Sequence, residues 1–347
     1  MNFASDNTGR VHPMVMAALA AANDGHVPSY GTDAITRAAQ DKVREVFDAP
    51  EAAVHFVSTG TAANALALSL ITPGWGRVFC HETAHIQTSE TGAPEFFMGG
   101  GKLLLVPGMG GKITPETLGR QIELVGEESV HAGQTCGLSL TNATEWGTVY
   151  GPDEVTALAD MAHEIGLSVH MDGARFANAV AGRQITPADL TWRAGVDILT
   201  FGGTKGGCMG VEAVIMFDPE KSQEFEYRRK RGGQLFSKHR FLSAQMLGWL
   251  DGGLWLQLAT HANDMAAELG AGLRALGDVT VDQEIASNAV FATFPDAMIE
   301  RAADKGATFH VWDAESGDKV EGRQSVRLIC GCDTRPEEIA DFLNALG

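Results

Sequence analysis

The chain has 347 residues, a length that suits one large domain with a smaller appendage. Hydrophobic residues make up 44% of it and charged residues 20%, which is ordinary for a globular protein. Its formal net charge of −18 argues against a nucleic-acid-binding protein, because phosphate contacts need clustered lysine and arginine. No stretch approaches the ~18 consecutive apolar residues of a membrane-spanning helix, and the first residues show no basic segment followed by an apolar run. We therefore expect neither a membrane protein nor a secreted one, and no nucleic-acid partner.

The five cysteines are odd in number and include no Cys-x-x-Cys pair. We interpret them as reduced thiols in a cytoplasmic protein. Two of them, Cys330 and Cys332, are separated by a single residue, and no metal site is expected at this pair. The other three are Cys80, Cys136 and Cys208.

The first two thirds of the chain alternate short apolar runs with helical patterns, which predicts an α/β fold with a mostly parallel, doubly wound sheet. Helices are expected at 62–71 and 152–164. The predicted strands lie at 53–57, 77–80, 103–106, 137–140, 167–171, 197–201 and 213–217.

The pattern changes in the last third of the chain. Residues 219–276 look mainly helical, with a break at Gly232 and Gly233. Strands at 290–294, 308–312 and 325–329 and a closing helix at 336–346 then indicate a small α+β domain. We therefore predict a large domain over 1–250 and a small one over 251–347.

Three features follow predicted strands, at the edge where an open α/β sheet binds its ligands. The first is Thr59-Gly60-Thr61, between a strand and a helix. A glycine lets the backbone approach an anion, and a helix N-terminus offers free N–H groups to a phosphate. Such turns are common, and capping of the helix alone would also explain this one.

The second feature is Asp172, directly after the strand at 167–171. A carboxylate at the end of a buried strand is costly to leave unpaired, so it either caps a local turn or meets a cation in the cleft. A protonated pyridine nitrogen would be such a cation, and holding that proton makes a pyridine cofactor an electron sink.

The third feature is Lys205, within Gly202-Gly203-Thr204-Lys205-Gly206-Gly207. The glycines suggest room for a bulky planar group on the lysine, and a partly desolvated amine has a lowered pKa and forms an imine with an aldehyde. A flexible loop with a solvated lysine is the alternative. All three features occur in order and at strand ends, which favours a cofactor site.

With these residues in place, the chain resembles the aspartate-aminotransferase-like (fold type I) pyridoxal-phosphate enzymes. Within them it is similar to the low-specificity L-threonine aldolases of the β-eliminating lyase group. Asp-Gly-Ala-Arg at 172–175 and Tyr-Gly at 30–31 are the more specific signals. The resemblance runs over nearly the whole chain, through residues 5–7, 30–33, 58–64, His85, His131, 170–175, Lys205 and 326–328.

The resemblance implies roles for individual residues toward pyridoxal 5'-phosphate. Lys205 would be the imine lysine, Asp172 would pair with the ring nitrogen, and His85 would stack on the ring. Gly60 and Thr61 would hold the phosphate, and Arg175 would support the side of the ring that carries the oxygen.

The resemblance also implies residues for the substrate and for a second chain. The substrate carboxylate would be held by Ser5, Arg175 and Arg327, in keeping with the bidentate geometry of arginine. His85 and His131 would lie near the substrate hydroxyl. Tyr30, Lys230 and Arg240 would reach a neighbouring subunit's site, with Tyr30 toward substrate and the two cations toward the cofactor phosphate. A homo-oligomer with shared sites, as a dimer of dimers, is expected.

Two differences separate this chain from the better-known aldolases. The better-known aldolases carry Glu-Asn-Thr-His-Asn where this chain has Thr-Asn-Ala-Thr-Glu at 141–145. In those aldolases a leucine–serine pair precedes the lysine, whereas here Gly202-Gly203-Thr204 precedes Lys205. These differences indicate another branch of the family and leave the preferred side chain open. Two further histidines, His55 and His170, lie within predicted strands, where a hydrogen-bonded core histidine is expected.

The expected activity is retro-aldol cleavage of L-threonine, L-allo-threonine or a related β-hydroxy-α-amino acid to glycine and an aldehyde. His85 or His131 would remove the hydroxyl proton. The alternatives are β-elimination, racemisation or transamination on the same scaffold, and a non-catalytic cofactor-binding protein.

Overall fold

The computed structural model describes residues 1–126, 129–312 and 321–347. The helices of this part of the chain are α1 (Pro13–Ala22), α2 (Ala34–Val46), α3 (Gly60–Ile71), α4 (His85–Thr88), α5 (Ala93–Met98), α6 (Pro115–Val125), α7 (Pro152–Glu164), α8 (Phe176–Arg183), α9 (Ser222–Arg231), α10 (Arg240–Leu250), α11 (Leu254–Ala275), α12 (Asp296–Asp304) and α13 (Pro336–Leu346). The strands are β1 (Ala53–Val57), β2 (Gly76–His81), β3 (Lys102–Val106), β4 (Gln134–Thr141), β5 (Ser168–Gly173), β6 (Ile198–Gly202), β7 (Glu212–Met216), β8 (Thr280–Val281), β9 (Ala289–Pro295), β10 (His310–Val311) and β11 (Arg323–Ile329).

The large sheet has seven strands in the order β1-β7-β6-β5-β4-β2-β3. All pairs among β2 to β6 are parallel, and β7 alone is antiparallel to both of its neighbours. Only nine residues join β6 to β7, too few for the crossover that a parallel pair needs. The prediction of a mostly parallel sheet is confirmed.

Strands β1, β2, β6 and β7 of the large sheet are buried along their whole length, which explains why they read as apolar runs in the sequence. Behind β6 the core is aromatic: Phe201 packs 5.1 Å from Trp249 and 5.2 Å from Phe47, centroid to centroid. Each such side chain contributes about 1.5–3 kcal/mol through burial alone. This packing fixes the end of β6 that precedes Lys205.

The small sheet is antiparallel, in the order β10-β11-β9-β8. Its core also takes in Phe3 from the N-terminal segment, whose N–H donates to the carbonyl of Thr308 at 2.8 Å. Helix α11 packs its first half in the large core and its second half in the small one. The division at 250/251 stays a prediction, and both cores share this one helix.

The sequence analysis did not predict helices α1 and α2. Helix α1 is alanine-rich and has little periodicity. Helix α2 buries Thr36, Ala39 and Val43 on one face. Its N-cap is Asp33, whose carboxylate accepts from Thr36 N at 2.9 Å. The predicted strand at 308–312 is shorter than expected, since only β10 pairs there. Among the described residues, no helix combines the length and the apolar character that a membrane crossing requires.

Candidate active site

Lys205 lies on the tight turn between β6 and β7. Glu212, the first residue of β7, holds that turn: its Oε2 accepts from Gly203 N at 3.1 Å and its Oε1 from the Thr204 hydroxyl at 2.6 Å. The positive charge of Arg175 is the largest influence that lowers the pKa of Lys205, and burial lowers it further. The amine is therefore more readily neutral, and more nucleophilic, than an exposed lysine.

The glycines around Lys205 have a different role from the predicted one. A Cβ on Gly206 would come within 2.5 Å of the Trp249 ring, and one on Gly202 within 2.7 Å of the Ala174 carbonyl. These glycines are required by packing against the protein itself. They do not measure the room available for a group on the lysine.

Asp172 ends β5 at the same edge of the sheet, as expected for parallel neighbours. It is buried, and both of its carboxylate oxygens have donors. Ala174 N donates to Oδ1 at 2.9 Å, and Asn64 Nδ2 on α3 donates to Oδ2 at 2.8 Å. Asn64 is a site residue that the sequence analysis did not identify.

A cleft of about 360 Å³ opens at this edge. One wall is the start of α3, where the Thr59 hydroxyl accepts from Ala62 N at 3.2 Å. The N–H groups of Gly60 and Thr61 have no partner among the described residues, and a Cβ on Gly60 would meet nothing within 4 Å. This helix start can receive an anion. The cleft is lined by Asn7, Ser58, Thr59, Gly60, Thr61, His85, Ala174, Thr204, Lys205, Met209, Gly210 and Glu212.

His85 begins the short helix α4 and lines the cleft. Its backbone N–H donates to Glu145 Oε1 at 2.7 Å, and its Nδ1 lies 2.8 Å from Oε1 of the buried Glu90. The hydrogen bond to Glu90 is the largest influence on the pKa of His85 and raises it, although burial acts in the opposite direction. The ring is thus oriented by a carboxylate and is a stronger base than a free histidine.

Arg175 follows β5 and forms a bidentate pair with Asp6, with Nε–Oδ2 at 2.7 Å and Nη2–Oδ1 at 2.9 Å. Burial alone would raise the pKa of Asp6, but the charge and hydrogen bonds of Arg175, with Lys205, hold it below its usual value. Nη1 and the second hydrogen of Nη2 of Arg175 are left to meet a ligand. Asp6 is therefore a site residue, although the sequence analysis assigned a role only to its neighbour Ser5.

Arg327, on β11, lies with its guanidinium 4.9 Å from the centroid of the Trp312 ring. Its Nε is buried and has no partner among the described residues. Burial, followed by the charge of Arg175, lowers the pKa of Arg327. A cation so placed, beside a second guanidinium, is stabilised by an anionic ligand such as a carboxylate.

Two further buried carboxyl groups adjoin the site. Burial raises the pKa of Glu145 to about 7, and it raises that of Glu212 to about 7 as well. Glu145 stands at the last position of the 141–145 stretch in which this chain differs from the better-known aldolases. The sequence showed that difference but did not indicate that Glu145 contacts His85.

Within one chain the structure does not bring His131 to the cleft, so its place near a substrate hydroxyl stays a prediction that requires a second chain. His131 is exposed on the turn before β4. Asp172 pairs with Thr141 at the other end of the parallel β4–β5 pair. Thr141 is seven positions beyond Gln134 along β4, which corresponds to a distance of about 23 Å at the usual rise per residue of a strand. Spacing along the chain does not say which end of a strand a residue occupies, so the sequence did not predict this separation within one chain.

The other predicted residues lie as follows. Ser5 caps a short turn at Asp6, with its hydroxyl accepting from Asn7 N at 3.2 Å. Tyr30 and Lys230 are both exposed, with the lysine Nζ 4.7 Å from the tyrosine ring centroid. Arg240 donates to the carbonyls of Asp24 and Gly25. His55 and His170 are buried and hydrogen-bonded, as predicted for core histidines.

The cleft residues fit pyridoxal phosphate. An amine of lowered pKa can bind the aldehyde, a buried carboxylate can face the ring nitrogen, an open helix N-terminus can receive the phosphate, and an unpartnered guanidinium can receive a substrate carboxylate. The fold and this cleft together define a class, the pyridoxal-phosphate-dependent enzymes of fold type I.

Within that class the chain belongs to the beta-eliminating lyase family, whose model matches residues 2–295. It is 41% identical over 340 residues to the low specificity L-threonine aldolase of Pseudomonas sp. (strain NCIMB 10558), covering 98% of this chain and 95% of that protein. The aldolase of the same name from Pseudomonas aeruginosa is also 41% identical over 340 residues, with the same coverage.

Solved structures agree with this assignment. A Leishmania major threonine aldolase superimposes with a TM-score of 0.92 at 29% identity, covering 99% of this chain and 98% of that one. Sphingomonas wittichii serine palmitoyltransferase has a TM-score of 0.69 at 17% identity, covering 100% of this chain and 86% of that one, and shares the fold.

Proposed function

We propose that the chain is a pyridoxal-phosphate-dependent aldolase that cleaves L-threonine, L-allo-threonine or related β-hydroxy-α-amino acids to glycine and an aldehyde. The observation that carries the proposal is the presence of His85, a carboxylate-oriented base, in the same cleft as Lys205 and near Asp172. The two Pseudomonas relatives, both low specificity L-threonine aldolases, support it.

The cofactor residues follow from the cleft. Lys205 would hold the cofactor covalently, Asp172 would pair with the ring nitrogen, and His85 would pack against the ring. Gly60 and Thr61 would hold the phosphate at the start of α3. When bound, pyridoxal phosphate supplies an electron sink for the bond that breaks at Cα.

The substrate carboxylate is held by Arg327, with help from Ser5 and from the free Nη1 of Arg175. The unpartnered Nε of Arg327 supports this role, because a carboxylate can satisfy it together with one of the terminal nitrogens. Fixing the carboxylate orients the Cα–Cβ bond relative to the ring, which selects the bond to be cleaved.

His85 accepts the proton of the β-hydroxyl group as the bond breaks. Its Nδ1–H is taken up by Glu90, so Nε2 is the ring nitrogen that carries the free lone pair. Proton removal turns the hydroxyl into the carbonyl of the departing aldehyde. Retro-aldol cleavage needs such a base, whereas racemisation does not need one at this position.

Each active site takes residues from two chains in this proposal. Tyr30 and Lys230 are exposed, and the segment after α9 is anchored beside the cleft, where the Gln234 side chain accepts from Ser58 N at 3.0 Å and from its hydroxyl at 2.8 Å. A two-fold axis near the cleft mouth would bring Lys230 and Arg240 of one chain to the phosphate of the other. A dimer of dimers completes the assembly. The odd number of cysteines and the lack of a disulfide bond among the described residues suit a reducing, cytoplasmic location.

Product analysis tests the function. Purified protein is supplied with pyridoxal phosphate and with threonine, allo-threonine and phenylserine in turn, and glycine and the aldehyde are both quantified. We expect the two products in equal amounts, and none from a Lys205→Ala protein. Formation of a 2-oxo acid with ammonia would show β-elimination, and formation of the D-amino acid would show racemisation. Either result in place of glycine would overturn the proposal.

A further inference from the structure

Glu90 is buried behind His85, and the chemistry proposed above uses it only as the acceptor of the His85 Nδ1 proton. A buried carboxylate is costly unless it is paired or hydrogen-bonded. Its Oε1 accepts from His85 Nδ1 at 2.8 Å and from Asn64 Nδ2 at 3.0 Å, while Oε2 has no partner among the described residues. The side-chain hydrogen bonds of Glu90 therefore run to His85 and to Asn64, which is itself a partner of Asp172.

We infer that Glu90 is a positioning residue, which fixes the His85 ring with its Nδ1 proton toward the carboxylate and, through Asn64, ties that ring to Asp172. This inference deepens the proposed function and rests on it. It assigns to one carboxylate the control of both the base and the ring-nitrogen partner.

The hydrogen-bond directions follow from the acceptors around them. A carboxylate cannot donate, so the His85 Nδ1 must carry the proton and Nε2 keeps the lone pair. Asn64 Nδ2 lies within hydrogen-bond distance of both Glu90 Oε1 and Asp172 Oδ2. An amide nitrogen has two hydrogens and can serve both, whereas the amide oxygen at that place would repel both carboxylates.

Other charged groups also face His85. Asp172 raises its pKa and Lys205 lowers it, and Glu145 accepts from its backbone N–H at the start of α4. Glu90 differs from these in touching the ring itself. The arrangement matches the logic of a base oriented by a third group, in which the carboxylate sets the tautomer and stabilises the protonated ring.

The test measures the ring directly. The cofactor-loaded protein is labelled with ¹³C-histidine, the His85 signal is assigned with a His85→Asn protein, and its pKa is read by NMR. In the wild type we expect a value above the ordinary ~6.5. In Glu90→Gln it should fall by about one unit or more, since an opposite charge is lost. Glu90→Asp, which keeps the charge, should fall less.

Glu95→Gln is the matched control, because Glu95 is a nearby, partly buried carboxylate on α5 whose change removes the same charge without touching His85. It should leave the His85 pKa unchanged. In turnover assays the acidic limb of the kcat/KM profile should move to lower pH in Glu90→Gln, by the same shift that NMR records. Cofactor content should stay equal to that of the wild type.

Two results would overturn the inference: a wild-type His85 pKa at or below 6.5, or a folded, cofactor-loaded Glu90→Gln protein with an unchanged value. The first needs no variant, so misfolding of Glu90→Gln would leave the test intact. If the wild type releases no glycine but Glu90→Gln still lowers the His85 pKa, the proposed function fails and the positioning role stands.

Discussion

The charged residues of the cleft and those of the surface around Tyr30 are held in different ways. In the cleft, Asp6 pairs with Arg175 at 2.7 Å and Asp172 has two donors, all within one chain. On the surface, Lys230 meets only the Tyr30 ring and Arg240 meets backbone carbonyls, and neither has a carboxylate partner among the described residues.

The difference indicates which half of the site one chain completes. Buried charges without partners are costly, so Asp6 and Asp172 are already paired within the chain, whereas the unpartnered Nε of Arg327 is left for an anionic ligand. Exposed cations are stabilised by hydration when no partner is present, and an anion that comes close stabilises them further. The contrast fits a site whose base, lysine and carboxylates come from one chain and whose extra positive charge comes from another.

The largest effect is expected from changing the charge of the cleft at Asp172. Asp172→Asn keeps the size but cannot hold the proton on the ring nitrogen, and turnover should fall by about 10²-fold or more. The amide also loses one of its two acceptor contacts, to Ala174 N or Asn64, at a cost of about 1–3 kcal/mol. Steady-state kinetics and thermal unfolding measure both. Near-normal turnover would mean that Asp172 does not face the ring nitrogen.

Mixing two defective proteins tests whether the cleft of one chain is completed by surface residues of another. Lys205→Ala removes the cleft amine and Arg240→Ala a surface cation, so each homo-oligomer should be a poor catalyst. In a mixed dimer one site carries both defects and the other neither. Equal, random mixing should therefore restore about one quarter of wild-type activity, because half of the dimers are mixed and half of their sites are intact. No recovery in verified mixed oligomers would show that each site is built from a single chain.

A smaller effect concerns stability and the buried acid Glu145. Its pKa is raised by burial from 4.5 to about 7, so the folded state takes up a proton that the unfolded state has lost. The stability gained is fully present below about pH 4.5 and is lost as pH rises through about 7. Between about pH 4.5 and pH 7, the Tm of the wild type should therefore fall by about 2–5 °C relative to the Tm of Glu145→Gln.

The exposed pair Glu116–Arg120 supplies the control for that measurement. Glu116→Gln should give a Tm curve parallel to that of the wild type over the same pH range. A constant difference in Tm between wild type and Glu145→Gln would contradict the raised pKa.

The smallest effect is expected at His131, which the structure places on the opposite edge of the sheet. His131→Asn should keep kcat/KM for threonine within about twofold of the wild type, whereas loss of a general base costs about 10²-fold or more. A loss of that size would show that His131 reaches the cleft of another chain, and the surface half of the site would then include it.

Sequence alone was sufficient for the residues that a strand carries to its own end. Asp172, Lys205 and Gly60 each follow a run of buried residues, and parallel strands bring their ends together without further information. The reason given for the glycines near Lys205 was wrong, because their neighbours are Trp249 and Ala174. The glycines were singled out with an incomplete physical argument, and the site roles of Asp172, Lys205 and Gly60 stay predictions.

The partners of those residues could not be predicted. Asn64 lies 108 positions from Asp172, and Asp6 lies 169 positions from Arg175 and 282 from Asn288. Such pairs depend on how helices and the N-terminal segment pack across the sheet, which no local pattern encodes. Glu90, five residues after His85, reads as a surface acid until the fold buries it.

One measurement tests the central claim, that the cleft of one chain carries the cofactor on Lys205. Purified protein loaded with pyridoxal phosphate is reduced with borohydride and digested, and the pyridoxyl-bearing peptide is sequenced by mass spectrometry. We expect the label on Lys205, whose amine has a pKa lowered by the charge of Arg175 and by burial. The exposed Lys230 serves as the internal comparison and should remain unlabelled. The label on Lys230, or on any lysine other than Lys205, would contradict the account.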